Sequence, residues 1–401
     1  MKTRPLIRRT ARSHSGINLL GFIAINTLLF CSSPAALAAP RKAELQLCFP
    51  DKTSVGRIYD MKLFNYGISR RFLENARGQI KYDSSSSLLL QVSESCGNNL
   101  SFLKQIPSNA LKGLSLAYLP IAKKELSNIA HLNKLNYLDL SGTELDDAAC
   151  SELSFLKNLN TLWLTETNIC GAGLSKLPQL TCLRLNCTGI KDEALSNLSK
   201  QKALEALEIA QNPLTDKCVP FLLRHQKLQW LVAAKTNIGD QGAAALSGLP
   251  DLKYLSLEDT KISDKCIHKL VKPGQLRQLY LANNKLTDSC LIEIGKLENL
   301  EILDLNASKI SGRALKQLKN CRKLQSLSLS ETSVDDSAVA ALAYHPQLLR
   351  LSLGFTGISD KSVPYLEKLT GLKELSIPST KISSKGVSRL KKALPSCRIV
   401  S

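Results

Sequence analysis

Aromatic residues are scarce in this chain of 401 residues, at only 5% of the sequence, whereas leucine is plainly abundant. A fold that stacks similar aliphatic layers needs many leucines and few large rings. Length alone would allow two or three compact domains, but a repetitive sequence extends one solenoid without adding domains. The composition therefore makes internal repeats the first feature to look for.

Motifs that carry catalysis or hold cofactors are also missing. The sequence contains no HExxH, CxxC or GxSxG motif, no phosphate-cradling glycine loop and no Rossmann fingerprint. Histidine is rare, with five residues in the whole chain. We therefore predict no catalytic residues, no metal ligands, no cofactor and no enzymatic activity.

Acidic residues are fewer than basic ones. The chain has 53 Lys and Arg against 34 Asp and Glu, a formal net charge of +19. Such an excess is compatible with affinity for an anionic surface, such as nucleic acid, a phospholipid face or an anionic glycan. It is equally compatible with a role in solubility alone.

No apolar run is long enough to cross a membrane comfortably, which takes about 20 residues. The longest N-terminal run, residues 17–30, is preceded by five basic residues and followed by Ala36-Leu37-Ala38. A basic start, a short apolar centre and an A-x-A site are typical of a secretory signal. We predict a signal peptide at 1–38, cleaved after Ala38. The mature protein would be exported to the periplasm, cell envelope or medium, without a transmembrane span.

A leucine pattern recurs at a fixed spacing along most of the chain. The sequence Leu-x-x-Leu-x-Leu at 135–140 returns at 159–164 and 180–185, and every step is 24 residues except one of 21. Twelve repeats result, from 111 to about 395. Their first leucines, which we number position 0, are Leu111, Leu135, Leu159, Leu180, Leu204, Leu228, Leu252, Leu276, Leu300, Leu324, Leu348 and Leu372.

The positions within a repeat predict its local structure. Positions 3 and 5 are aliphatic and two apart, so they share one face of a strand. Position 8 is Thr, Ser or Asn in eleven repeats, and such side chains hydrogen-bond the backbone of a bending chain. Asp recurs at position 12, where negative charge suits a helix start. Small residues at position 14 and aliphatic ones at position 18 share one side of a helix.

These positions resemble the leucine-rich-repeat family, in its variant L-x-x-L-x-L-x-x-T-x-I-[ST]-D, over residues 111–395. The resemblance implies an α/β fold, a curved solenoid with a parallel sheet on the concave face and short helices on the convex face. It also implies recognition of partners as the usual role, without fixed functional residues. No stretch is left over for an added catalytic domain.

Both ends of a solenoid expose apolar layers and need caps. We predict a β-rich N-terminal cap at 39–110 and a capping strand at 396–401. Cys48 and Cys96 flank the N-terminal region, and in an exported protein they are the best candidates for a disulfide, although sequence does not establish pairing. Short strands are expected in the cap at Glu44–Phe49, Ser54–Phe64, Gln79–Tyr82 and Leu88–Val92.

The concave face is formed by positions 2, 4 and 6, which point away from the core. Both tryptophans of the chain lie here, and exposed Trp, Tyr and Arg dominate binding hot spots. The alternative is that these rings cover the sheet without a ligand. The predicted partner-binding residues are Trp163, Arg184, Trp230, Val232, Tyr254 and Tyr280.

Charge divides the two faces of the predicted solenoid. The concave positions hold five acids and two bases, so the basic excess must lie on the helices, loops and caps. A nucleic-acid groove would need Lys and Arg on the sheet, so we do not expect nucleic acid as a ligand. Two functions follow. The first is an exported module that binds a protein or peptide on its concave face. The alternative is a cell-envelope structural protein that holds an anionic polymer or membrane surface by its basic outer face.

The third repeat, 159–179, is the 21-residue unit and lacks about one helical turn. We expect it to bend the outer side of the solenoid locally, next to Trp163.

Overall fold

The computed structural model describes residues 44–64, 66–83, 85–96, 98–271 and 275–401. The predicted signal peptide at 1–38 lies outside these residues.

The described residues alternate short strands with short helices, as the repeat pattern predicts. The strands are β1 Glu44–Cys48, β2 Gly56–Phe64, β3 Gly67–Asn75, β4 Gln79–Asp83, β5 Leu88–Val92, β6 Leu111–Ser115, β7 Tyr137–Asp139, β8 Thr161–Trp163, β9 Cys182–Arg184, β10 Ala206–Glu208, β11 Trp230–Val232, β12 Tyr254–Ser256, β13 Gln278–Tyr280, β14 Ile302–Asp304, β15 Ser326–Ser328, β16 Arg350–Ser352, β17 Glu374–Ser376 and β18 Arg398–Val400.

Helical turns fill the opposite side of each repeat. The α-helices are α1 Ala149–Leu153, α2 Val219–Leu222, α3 Asp240–Ala245, α4 Asp264–Leu270, α5 Asp288–Ile294, α6 Asp336–Val339, α7 Val363–Leu366 and α8 Ser384–Ala393. The 3-10 helices are Glu94–Cys96, Ser101–Gln105, Lys123–Ile129, Leu174–Lys176, Asp192–Leu198, Asp216–Cys218, Leu246–Gly248, Leu315–Asn320, Ala340–Tyr344 and Asp360–Ser362.

One sheet of sixteen strands runs through the described part of the chain, in the order β3-β2-β5-β6 and then consecutively to β18. From β5 to β18 every neighbouring pair is parallel, and each repeat pairs with the next at equivalent positions, for example Leu255 with Leu279. β2 and β3 join antiparallel at the N-terminal edge, and β1 pairs with β4 in a separate antiparallel sheet. The predicted α/β leucine-rich-repeat solenoid is confirmed.

The repeated aliphatic positions form one continuous core. Leu255, Leu279 and Leu303 at position 3 are each 0% exposed, and the same cluster runs from the N-terminal cap to Leu394. The small residues and aliphatic residues predicted on the helices, such as Cys266 and Leu270, are buried in it. Each coil therefore shields the leucines of its neighbour, and no repeat is stable in isolation.

The side chain at position 8 forms hydrogen bonds with the backbone, as the sequence predicts. In most repeats its hydroxyl donates to the carbonyl of position 5, at 2.6–3.0 Å, as Thr260 does to Leu257. Where the residue is Asn, as at Asn284, its amide donates to carbonyls of its own coil and of the preceding one. These bonds satisfy carbonyl groups that the bending chain removes from the sheet.

Position 7 adopts a left-handed backbone conformation in all twelve repeats, with φ between 51° and 68°. Eleven of these residues are not glycine, including Phe355 and Tyr118, and each such residue costs about 1 kcal/mol in backbone strain. The N–H group of position 7 donates to the next coil, as in the 2.7 Å bond from Tyr118 to Ser141. That inter-repeat bond offsets the strain.

Seven of the eight aspartates at position 12 begin a helix, as predicted; the exception is Asp147, two residues before α1. The aspartates also connect neighbouring coils. All eight accept the backbone N–H of position 11 in the following repeat, which is 23 residues further along. Asp264, for example, accepts the N–H of Thr287 at 3.0 Å and its hydroxyl at 2.6 Å. The other seven are Asp147, Asp192, Asp216, Asp240, Asp288, Asp336 and Asp360.

The third repeat has only one 3-10 turn, Leu174–Lys176, on its outer side. Gly171 just before it has a φ of 111°, and a Cβ there would lie 2.3 Å from the Cβ of Ala194 in the next repeat. The shortened repeat therefore packs its backbone closely against its neighbour, in the place where sequence predicted a missing helical turn.

Strands occur in each of the four cap segments where sequence placed them. β3 is an additional strand, and it forms a long hairpin with β2 across residues 56–75. In this structure Cys48 and Cys96 are free thiols, so the predicted disulfide between them is not formed. The Cys48 side chain is exposed, whereas the Cys96 thiol is half-buried and donates to the carbonyl of Val55 at 3.2 Å.

Candidate partner-binding surface

The β2–β3 hairpin lies over the concave face of the first repeats. β2 pairs with β5 only as far as Asp60, and the remaining residues extend beyond the end of β5. Met61 is 2% exposed and packs with Leu89 and Tyr137 on the concave side of the sheet. Gly113 leaves room for it, because a Cβ at Gly113 would lie 2.8 Å from the Met61 sulfur. The hairpin therefore covers concave positions of the first repeats, which the repeat pattern alone predicts to be open.

The hairpin tip is attached to the fourth and fifth repeats. The backbone oxygen of Tyr66 accepts a hydrogen bond from Nη2 of Arg184 at 3.3 Å, and the Cys182 thiol lies 3.7 Å from the same oxygen. The Tyr66 hydroxyl donates to Oε2 of Glu205 at 3.2 Å. Burial, and secondarily the Glu205 charge, raises the pKa of Tyr66, so this hydroxyl keeps its proton.

Two of the predicted partner-binding residues hold this attachment in place. Arg184 lies 3.9 Å from the centre of the Trp163 ring and forms an ion pair with Glu208 at 3.1 Å. The Trp163 ring in turn meets Tyr137 edge to face, with centroids 5.0 Å apart. Trp163 and Arg184 are both partly exposed, but each is already in contact with other side chains of the chain.

Beyond the hairpin tip, three rings lie side by side on neighbouring strands. Trp230 stacks on Tyr254 with centroids 3.4 Å apart and planes 13° from parallel, and Tyr254 meets Tyr280 at 5.0 Å. All three are half-buried. We refer to Trp230, Tyr254 and Tyr280 as the aromatic row. Tyr66 adjoins its N-terminal end, 6.2 Å from Trp230.

Val232 lies beneath the aromatic row instead of being part of its surface. It is 9% exposed and packs with Ala210 and Ala234 under Trp230 and Tyr254. In this structure two larger rings cover Val232, so a partner would contact the rings before it reached Val232. Small residues at these positions let the rings lie flat against the sheet.

Two carboxylates flank the C-terminal end of the row. Asp304 is next to Tyr280 on the adjacent strand, and Glu258 follows β12, which carries Tyr254. Burial, and secondarily the Asp304 charge, raises the pKa of Glu258 to about 7, and burial raises the pKa of Asp304 to about 6. Neither carboxylate forms an ion pair with a described residue. We refer to Glu258 and Asp304 as the carboxylate pair.

The repeat pattern gives no indication of the residues that the hairpin contributes, above all Met61 and Tyr66. One signal was available, since Asn65-Tyr66-Gly67 separates two strand-like stretches and a turn with glycine predicts a hairpin. Nothing in the sequence indicated that the tip would reach the fourth repeat. In the sequence Glu258 and Asp304 are two of the five concave acids, and nothing there distinguishes them from the other three.

Two further properties of the described residues bear on function. They contain no group of three or more His, Cys, Asp or Glu side chains arranged to hold a metal ion. None of their helices has the length and apolar character needed to span a membrane.

Comparison with known families decides the classification. The profile of the leucine-rich repeat region matches residues 109–369, about two thirds of the chain. The chain belongs to the leucine-rich repeat family. Members of this family are generally binding scaffolds, and their fold commonly mediates protein binding. No curated protein matches the chain in sequence.

Solved leucine-rich repeat structures share the fold at low identity. An internalin of Listeria monocytogenes is 24% identical, with a TM-score of 0.60, over 78% of this chain and 86% of the internalin. A leucine-rich repeat protein of Leptospira interrogans is 21% identical, with a TM-score of 0.53, over 76% of this chain and 81% of its own. The matching chain of a TLR13–ssRNA13 complex is 24% identical, with a TM-score of 0.53, over 74% of this chain and 42% of its own.

Proposed function

We propose that this leucine-rich repeat protein is an exported, non-enzymatic module that binds a protein or peptide partner on its concave face. The observation that carries the proposal is the aromatic row, which lies half-buried on the sheet beyond the end of the hairpin. Trp and Tyr dominate binding hot spots because they desolvate a large rigid surface at little entropic cost. Export is proposed from the basic and apolar N-terminal segment with its A-x-A site.

The row is a suitable anchor because it is already ordered. Stacking of Trp230 on Tyr254 fixes both rings, and Val232 supports them from below. A partner that lies on them loses little of its binding energy to ordering side chains of this protein. The hairpin limits the site on one side, so a partner would lie across repeats six to eight.

The test is binding of the chain from residue 39 onwards to proteins of an envelope extract, compared with a Trp230→Ala/Tyr254→Ala variant. Each substitution should weaken capture of the same partner by more than about 1 kcal/mol. Phe355→Ala, at an exposed ring outside the concave face, is the matched control. Equal capture by the double variant would contradict the proposal.

A basic column on the outer edge favours the alternative function, attachment to an anionic polymer or membrane surface. Lys261, Lys285 and Lys309 occupy position 9 of three consecutive repeats, and all three are exposed. Affinity from such a column would fall steeply with added salt, since exposed charges are screened within about 10 Å at 0.1 M. Dextran sulfate is the test ligand. This function would be excluded if added salt did not weaken binding of dextran sulfate, or if substitution of all three lysines by glutamine left that binding unchanged.

A further inference from the structure

Among the described strands, position 4 of the sheet carries a cation between a ring and a carboxylate at one place. On three consecutive strands the residues are Trp163, Arg184 and Glu208. The guanidinium lies 3.9 Å from the ring centre and its Nε lies 3.1 Å from the Glu208 carboxylate. An arginine in this setting gains both a planar contact with the ring and a charge-assisted contact with the acid.

A similar set of partners occurs again at the open end of the face, without a cation. Tyr280 and Asp304 are neighbours at position 4 of β13 and β14, and Glu258 lies two residues beyond Ser256, which is the partner of Tyr280 on β12. The side chains of the carboxylate pair are partly buried and lack counter-ions at ion-pair distance. Partly buried carboxylates without counter-charges are unfavourable, and a cation placed between them would relieve that state.

The surrounding basic residues do not fill this place. Lys235 is exposed at position 7 of its repeat and acts on Glu258 only at longer range. Arg350 affects Tyr280 only at longer range. It lies on β16, where its partner on the neighbouring strand β17 is Glu374. Arg184 is already engaged by Glu208 and Tyr66. An apolar ligand here would bury the two carboxylates further, and an acidic one would be repelled.

We propose that the partner is a polypeptide segment that presents an arginine side chain over Tyr280, between Glu258 and Asp304, while its neighbouring residues lie on Trp230 and Tyr254. This inference rests on the proposed function and adds the charge class of the partner. In this arrangement the partner's arginine would lie between a ring and carboxylates, as Arg184 of this chain lies between Trp163 and Glu208.

The probe is a random peptide library displayed on phage, panned on the chain from residue 39 onwards. Recovered peptides should carry arginine at one shared position. A synthetic peptide of that sequence should bind about tenfold or more tightly than the same peptide with citrulline, a neutral isostere, in fluorescence polarisation. The Glu258→Gln/Asp304→Asn variant should bind both peptides equally. A variant with the same loss of charge outside the face, Asp251→Asn/Glu331→Gln, should keep the preference.

The outcomes separate the two proposals. Peptides that need Trp230 and Tyr254 but bind equally with citrulline would overturn the arginine inference and leave the proposed function standing. A preference for arginine that survives in the Glu258→Gln/Asp304→Asn variant would overturn it as well. Failure to recover any peptide that depends on Trp230 and Tyr254 would contradict the proposed function itself. Circular dichroism of each variant identifies any that fails to fold.

Discussion

The backbone oxygen of Tyr66 and the guanidinium of Arg184 are 3.3 Å apart, although 118 residues separate them in the sequence. This bond attaches the tip of the N-terminal hairpin to the fourth repeat. The hairpin is therefore both a cap for the solenoid and a boundary of the surface that remains open for a partner.

Arg184→Ala should loosen the hairpin. The substitution removes the contacts of the guanidinium with Tyr66, Trp163 and Glu208, and it leaves a mostly buried carboxylate unpaired. We expect a loss of about 2–3 kcal/mol in the free energy of unfolding. Chymotrypsin should also cleave faster near Phe64 and Tyr66. Arg350→Ala, at a residue without an ion pair or hydrogen bond to described residues, is the control, and equal cleavage rates in the two variants would argue against the attachment.

Trp230→Phe should leave stability unchanged or raise it by up to about 1 kcal/mol. The Nε1 atom of Trp230 is buried and has no hydrogen-bond partner among the described residues, so phenylalanine removes an unsatisfied donor and keeps a stacking ring. Trp230→Ala, in contrast, uncovers Val232 and should destabilise by about 1–2 kcal/mol, because the ring is only partly buried. Urea denaturation measures both values. A larger loss for phenylalanine than for alanine would refute this account of the row.

Glu258 should make stability depend on pH near neutrality. Its pKa is about 7 in the folded chain, mainly because of burial, against an ordinary value of 4.5. The folded state therefore binds more protons than the unfolded state between these values. The contribution of the protonated carboxyl to stability is present below about pH 4.5 and is lost as pH rises through about 7. Glu258→Gln should gain in Tm over the native protein at pH 8 but not at pH 4.5.

The control for this prediction is Glu331→Gln, at an exposed acid outside the concave face. The difference in Tm between this variant and the native protein should be the same at pH 4.5 and at pH 8. If the Tm difference between Glu258→Gln and the native protein is also the same at both pH values, burial does not raise the pKa of Glu258, and its surroundings are more hydrated than the structure indicates.

Asp264→Ala should test the contacts between coils. The carboxylate accepts the N–H and the hydroxyl of Thr287 in the next repeat, and its removal leaves both donors without this acceptor. We expect a loss of about 1–3 kcal/mol in the free energy of unfolding. Asp251→Ala, at an exposed aspartate that makes no hydrogen bond or ion pair to described residues, should change stability by less than about 0.5 kcal/mol. Similar losses in both variants would show that charge, not the bond to Thr287, is responsible.

The sequence alone determined the solenoid. The recurrence of Leu at positions 3 and 5 fixed which face of each strand is buried, and the polar residue at position 8 indicated the bonds of the turn. Such features are local and repeated, so each copy supports the interpretation of the others. The aspartates were recognised as helix starts, but their bonds across 23 residues were not, because the acceptor and its donor lie in different repeats.

Only the tertiary structure decided which concave residues remain available. Trp163, Arg184 and Trp230 are equivalent in sequence terms, since all are large residues at outward positions of short strands. The first two are taken up by the hairpin, and only the third lies in the open row. This outcome depends on the length of β2 and β3 and on how the hairpin lies over the sheet. The period of the repeat carries no information about a contact with a segment outside it.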